Sequence, residues 1–205
     1  MPELKSYDIS AREAHVIGEG PRIAPLGDSE MSGEVREIVD NIRASAGAGS
    51  AVEVPEYMRT MVKHPELFRA HMELGSVLFK GRIPAREREL AVLRVGWLAG
   101  APYEWGEHVK ISQRYGVSRE EIARAQQGSS APGWSEHEAA ILSGVEELLS
   151  DFAMSDATWE TLAGTWDEAQ MAEFPSMVGQ YVVTAYVQNS LRIRLAPDNP
   201  GLSHR

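Results

Sequence analysis

The chain has 205 residues, 43% of them hydrophobic, no cysteine and a formal net charge of −10. That length suits one domain, or two small halves sharing a core. The missing cysteines exclude disulfides, thiolate nucleophiles and thiolate metal sites, and the acidic balance repels phosphate backbones, so nucleic acid is not an expected partner.

No run of about 18 apolar residues is present to span a membrane, and Met1-Pro2-Glu3-Leu4-Lys5 lacks the apolar stretch of a secretory leader. No membrane partner is expected, and a cytoplasmic location is the default. Residues 1–31 carry Pro2, Pro21, Pro25 and three glycines without a helical period, and read as an extended arm. From Ser32 to Arg43, Val35, Ile38, Val39 and Ile42 recur at three-and-four spacing and predict a helix. The small residues of 44–51, with Gly47 and Gly49, then read as a loop.

Beyond Val54 the pattern is helical almost throughout. Pro55 opens a short helix to about Lys63, and Pro65 the next, with an apolar stripe of Leu67, Leu74 and Leu78 widened by Phe68 and Met72. Pro84 opens a strong helix, Ala85 to about Leu98, stopped by Ala99-Gly100. Another runs from about Tyr103 to Tyr115. Ser118 with Glu121, and Ser135 with Glu138, have capping-box spacing. Ser155 starts a helix to about Leu162. The last long segment, Glu168 to Leu195, contains Pro175, which predicts a kink or two abutting helices. No strand is expected, because Val182, Val183 and Val187 fall in a helix-period stripe. The expected organisation is an arm over 1–31, an all-α domain of helix hairpins over 32–195 and a tail over 196–205.

The candidate chemistry sits between Arg86 and Val109. Glu104 and His108 are four apart on a helix and share a face. A carboxylate beside an imidazole orients the ring and raises its basicity, and such a pair can abstract and return a proton. The same spacing also describes an ordinary solvated pair. Glu89 lies one helix earlier, and an antiparallel hairpin turning at Gly100-Ala101-Pro102 can bring it alongside. Arg86, Arg88 and Arg94 are candidates to grip a substrate carboxylate; the competing reading is a charged face pairing with Glu87 and Glu89. Tyr103 and Tyr181 are candidate hydrogen-bond donors to a substrate, and Trp105 a lining residue. A metal is not expected: Glu107 is adjacent to His108 and points elsewhere, and His15, His64, His71, His137 and His204 lack ligand spacing to it.

The stretch IPARERELAVLRVGWLAGAPYEWGEHVKISQRYGVSREEIARA, residues 83–125, resembles the core of the carboxymuconolactone decarboxylase and alkylhydroperoxidase D-like superfamily. The flanking VKHPELFRAHMELGSVLFKGR, VGQYVVTAYVQNSLRI and PRIAPL extend the resemblance over most of residues 21–195. Laying the peroxidase-branch motif on this sequence puts its glutamate at Glu89, its two cysteines at Ala101 and Glu104, and its histidine at His108. Without either sulfur there is no peroxidatic or resolving thiol. The Glu-and-His remainder resembles the decarboxylase side of the superfamily. That resemblance implies an AhpD-like fold, no cofactor, a homo-oligomer (dimer, trimer or hexamer) and acid–base chemistry on a small carboxylated or lactone-type metabolite. Decarboxylation, isomerisation and hydration are all within its reach. His108 would then act as general base or acid, with Glu104 and Glu89 orienting it or relaying the proton. A non-catalytic binding or scaffold protein of the same fold is the alternative.

Overall fold

The computed structural model describes residues 7–31, 33–45 and 54–204. Among them are ten α-helices and no strand. In chain order the helices are α1 (Ile9–Ile17), α2 (Gly33–Ser45), α3 (Glu56–Met61), α4 (Pro65–Phe79), α5 (Ala85–Leu98), α6 (Pro102–Arg114), α7 (Arg119–Gln127), α8 (Glu136–Asp151), α9 (Asp156–Ala163) and α10 (Glu168–Leu191). Most of the expected 44–51 loop lies outside the described residues. No described helix is long and apolar enough to cross a membrane.

Helix α5 is the centre of the molecule. Every residue from Arg88 to Gly96 is buried, because α6, α7, α8 and α10 all pack on it. Such a helix shows little amphipathic period, since none of its faces meets water. Two features end it. Gly100 takes a left-handed φ of 52°, and the guanidinium of Arg12 donates to the carbonyls of Gly100 (3.0 Å) and Ala99 (2.8 Å). The chain turns at once into α6, with Pro102 in its first turn. Leu90, Leu93 and Trp105 are fully buried across this hairpin, and each such side chain contributes roughly 1.5–3 kcal/mol.

Local signals set most other boundaries. Both expected capping boxes form, at α7 and α8, and Asp167 with Gln170 makes a third at α10. Pro175 neither ends nor divides α10, which runs as one 24-residue helix. It stops at Leu191 rather than Leu195 because Arg192 turns left-handed, with φ 56°.

Two expectations about the ends of the chain need correction. Part of the supposed extended arm is α1, capped by Asp8 accepting from Ala11 N at 2.7 Å. Its only fully buried residue is Val16, so the sequence carries too narrow an apolar stripe to read. The supposed tail also folds back. Leu202 is fully buried against Trp105, whose indole N–H donates to His204 O at 3.0 Å. Asn199 bridges to Tyr103 O and Glu107 Oε1. It lies so close to Gly106 that any side chain there would overlap its amide.

Candidate active site

The α5–α6 hairpin explains how Glu89 reaches His108. Glu89 sits nine residues before the end of α5 and His108 six residues after the start of α6. At 1.5 Å per residue these are about 14 Å and about 9 Å from the turn, a mismatch that a glutamate side chain and the helix crossing absorb. His108 Nδ1 donates to Glu89 Oε2 at 2.7 Å, and His108 Nε2 lies 3.2 Å from Glu104 Oε1. The other Glu89 oxygen accepts from Arg88 Nε (3.0 Å) and Nη2 (2.9 Å). All four side chains are buried.

This is a chain of alternating charge, two cations and two anions, out of water. Burial alone lowers the affinity of the His108 ring for a proton, but Glu89 and Glu104 outweigh it and raise its pKa to about 10. Burial likewise pushes the Glu89 carboxyl up, yet His108 and Arg88 bring the net below the usual carboxylate range. Both ring nitrogens of His108 thus face carboxylate oxygens, an arrangement that favours the imidazolium.

Helix α10 forms the facing wall. Gln180, Thr184 and Gln188 are all buried and repeat every four residues, a polar stripe inside the protein. Gln188 Nε2 donates to Glu104 Oε2 at 2.8 Å, while its own Oε1 is buried without a hydrogen bond. Tyr181 stands edge-on to the His108 ring, with centroids 5.1 Å apart. From α4, His71 meets the same stripe and hydrogen-bonds the hydroxyl of Tyr57 on α3 at 2.8 Å. Burial raises the pKa of Tyr57, Tyr103 and Tyr181, and the Glu104 charge adds to each. Tyr57, His71, Gln180, Thr184 and Gln188 were all missed from sequence. For the three on α10, the four-residue repeat of polar side chains along its apolar stretch from Met177 to Val187 was the available signal.

The remaining expected site residues divide. Tyr103 and Tyr181 border Glu104. Arg86 does not: it pairs with Glu121 and with Glu138 (2.6 Å) at the N-terminal ends of α7 and α8. Arg94 is also elsewhere, holding Glu146 (2.8 Å) and the carbonyls of Ala125 and Gln126 at the end of α7. Arg88 is spent on Glu89 and on Phe79 O. The expected carboxylate clamp is thus a set of interhelical ties, because nearer acidic partners claim each guanidinium. Trp105 belongs to the core between α5 and the chain's C-terminal turn, not to the site. Among the described residues no group of three His, Asp or Glu side chains is placed to hold a metal ion.

A fold of this kind, with a buried central helix and its antiparallel neighbour presenting a Glu–His–Glu cluster, is the AhpD-like helical fold. Residues 65–147, which contain all three of those side chains, match the model of the carboxymuconolactone decarboxylase family. Among solved structures, a peroxidase-related protein from Ralstonia eutropha with an alkylhydroperoxidase AhpD core is similar, with TM-score 0.72, 16% identity, and 87% of this chain and 93% of that chain covered. The debrominase Bmp8 bound to 2,3,4-tribromopyrrole is similar with TM-score 0.70, 17% identity, and 88% and 95% covered. A protein of unknown function from Agrobacterium tumefaciens gives TM-score 0.61, 23% identity, and 66% and 95% covered. At these identities the likeness is one of fold. No curated protein matches the chain.

Proposed function

We propose that the protein is an acid–base enzyme of the lyase, isomerase or hydratase kind, acting through an enolate on a small lactone or related carbonyl metabolite. The observation that carries this reading is Glu104. One of its oxygens faces the His108 imidazolium at 3.2 Å, and the other accepts from Gln188. The Gln188 amide oxygen is buried without a hydrogen bond, and the Glu104 charge acts on the buried phenols of Tyr103 and Tyr181. A buried carboxylate held between a histidine and an amide donor is placed to accept a proton.

Glu104 is the base in this scheme, and His108 is the cation beside it. Glu104 removes a proton from the carbon beside a carbonyl, and the C–H electron pair moves to the carbonyl oxygen. In a β,γ-unsaturated substrate the pair spreads over a dienolate, and return of that proton at the γ-carbon completes an isomerisation. Glu89 and Arg88 fix the imidazolium from behind. No arginine of the α5 motif is left to grip a carboxylate, which favours the lactone class over a carboxylate-anchored one.

The mutual saturation of Glu89 and His108 inside the protein favours a second reading, a polar core in a non-catalytic binding protein. The two separate in one experiment. Lactones and β-keto acids are incubated with the protein in deuterium oxide, and exchange at the α-carbon is followed by NMR. Exchange by the wild-type protein that disappears in Glu104→Gln supports the enzyme. Equal exchange in both proteins would sink it.

We further propose that the chain self-associates through α4 and α10. Leu67, Leu74 and Val77 on one helix, and Val183 and Tyr186 on the other, are exposed apolar side chains. These two helices pack together, and exposed apolar faces of this extent generally bury against a partner.

A further inference from the structure

An enolate places a negative charge on oxygen, and Glu104, itself an acid anion, cannot stabilise it. Building on the enolate reading above, we infer that the hydroxyl of Tyr57 donates the hydrogen bond to that oxyanion, and that His71 and Gln180 turn it to do so.

The direction of the hydrogen follows from the partners of His71. Gln180 Nε2 lies 3.1 Å from His71 Nδ1, 3.3 Å from His71 O and, more distantly, 3.4 Å from His71 Nε2, so its nearer ring partner is Nδ1. An amide nitrogen only donates, so Nδ1 accepts and the ring proton sits on Nε2. Thr184 agrees independently. Its Oγ1 donates to Gln180 O at 2.9 Å, so toward His71 Nε2, 3.4 Å away, it can only accept. Nε2–H then donates to Tyr57 Oη at 2.8 Å. The hydrogen of Tyr57 is left pointing away from His71, and the phenol makes no other hydrogen bond among the described residues. A second proton on His71 leaves Nε2–H, and so the Tyr57 arrangement, in place.

The surroundings suit a donor. Tyr57 is buried, its ring lies 6.5 Å from that of Tyr103, which begins the turn carrying Glu104, and burial together with the Glu104 charge keeps the hydroxyl protonated. When Glu104 takes the substrate proton, its charge disappears at the moment the oxyanion appears. The field that made Tyr57 a weak acid relaxes as its partner becomes an anion. The hydrogen bond therefore strengthens in the transition state relative to the ground state, which is the condition for accelerating the step. Tyr57 is the donor that touches the reacting oxygen, and His71 is a positioning residue.

The test has two readouts. The first is binding of 4-nitrophenol, whose absorbance distinguishes phenol from phenolate, to the Glu104→Gln protein, where a neutral amide stands in for protonated Glu104. Adding Tyr57→Phe should weaken phenolate binding at least tenfold at an unchanged melting temperature. Unchanged affinity, or no phenolate binding by Glu104→Gln itself, overturns the donor. The second is α-proton exchange with Glu104 intact, where loss of one such donor should cost roughly 100- to 1,000-fold. Exchange that depends on Glu104 but not on Tyr57 overturns the donor and leaves the enolate reading standing. No exchange by the wild-type protein, together with Tyr57-dependent phenolate binding, does the reverse. His71→Gln, which keeps an amide N–H for the phenol oxygen, should recover phenolate binding lost in His71→Ala. Equal loss in both overturns the positioning role.

Discussion

Glu89 and His108, nineteen residues apart in sequence, are joined by a 2.7 Å hydrogen bond across the α5–α6 hairpin. With Glu104 at the opposite nitrogen, both ring nitrogens face a carboxylate oxygen. In the scheme proposed above, the ring supplies the charge and Glu104 takes the proton.

The same relationship sets how stability depends on pH. His108 has a pKa of about 10 folded and 6.5 as a free side chain. A raised pKa stabilises the fold fully below 6.5, and that stabilisation is lost as pH rises from there through 10. Glu89 is shifted the other way, so its contribution is present above the free value of 4.5 and lost as pH falls through the lower folded value. Denaturant midpoints should therefore peak between about pH 5 and 6.5 and fall on the alkaline side. His108→Gln should abolish the alkaline fall. A wild-type midpoint that stays flat from pH 6 to 10 would show that the ring is not held as a cation.

Arg94 tests the distinction between a substrate clamp and an interhelical tie. Arg94→Ala leaves Glu146 buried, with only Ser129 N and Oγ as partners. Removing one member of a buried ion pair costs about 3–5 kcal/mol. Thermal and chemical denaturation should show that loss, while exchange per folded molecule stays at the wild-type level. A large rise in KM with little change in stability would restore the clamp.

How much of this was readable in the sequence varies by element. Pro84 and Gly100 bracket α5, and Ser135 with Glu138 starts α8, because caps and breakers act locally. Glu89, Glu104 and His108 stood out because the spacing of an antiparallel hairpin follows from helix rise and a short turn. The arginines of α5 were misleading: which carboxylate a guanidinium meets depends on α7 and α8, whose placement no local pattern encodes. The stripe of α4 misled similarly. Phe68 and Leu78 face inward, but Leu67 and Leu74 face out, so its apolar width reflects two different surfaces. Tyr57 and His71 come from α3 and α4, upstream of the motif, and reach its surroundings only through tertiary contacts with Tyr103 and α10.

A chain with no cysteine has no thiol to attack a peroxide. Consumption of hydroperoxides with a dithiol donor should match the no-enzyme control. Turnover above that control would mean that another group performs the chemistry.

The exposed apolar face of α4 and α10 makes the oligomeric state measurable. Sedimentation at micromolar concentration should give a species of at least twice the 22.6 kDa chain mass. Val77, 68% exposed, is the most exposed of these side chains, so Val77→Glu should shift the equilibrium to monomer without lowering the monomer's helicity. A wild-type protein that sediments as a single 22.6 kDa species rules the interface out.

The division of labour between Glu104 and His108 gives the sharpest test. If Glu104 is the base, Glu104→Gln removes the acceptor at every pH, and exchange should fall by roughly 100- to 10,000-fold throughout. His108→Gln acts indirectly. Without the imidazolium at 3.2 Å, Glu104 loses the charged partner of one of its oxygens. Activity should fall, yet by less than in Glu104→Gln, because the acceptor itself remains. If His108 were the base, the pattern would invert: His108→Gln would be the more damaging change, and Glu104→Gln would lose only an orienting contact. A polar core without catalysis predicts a third result, lower melting temperatures in both variants with no difference in exchange per folded molecule. Recording kcat/KM against pH and melting temperature on the same preparations separates all three.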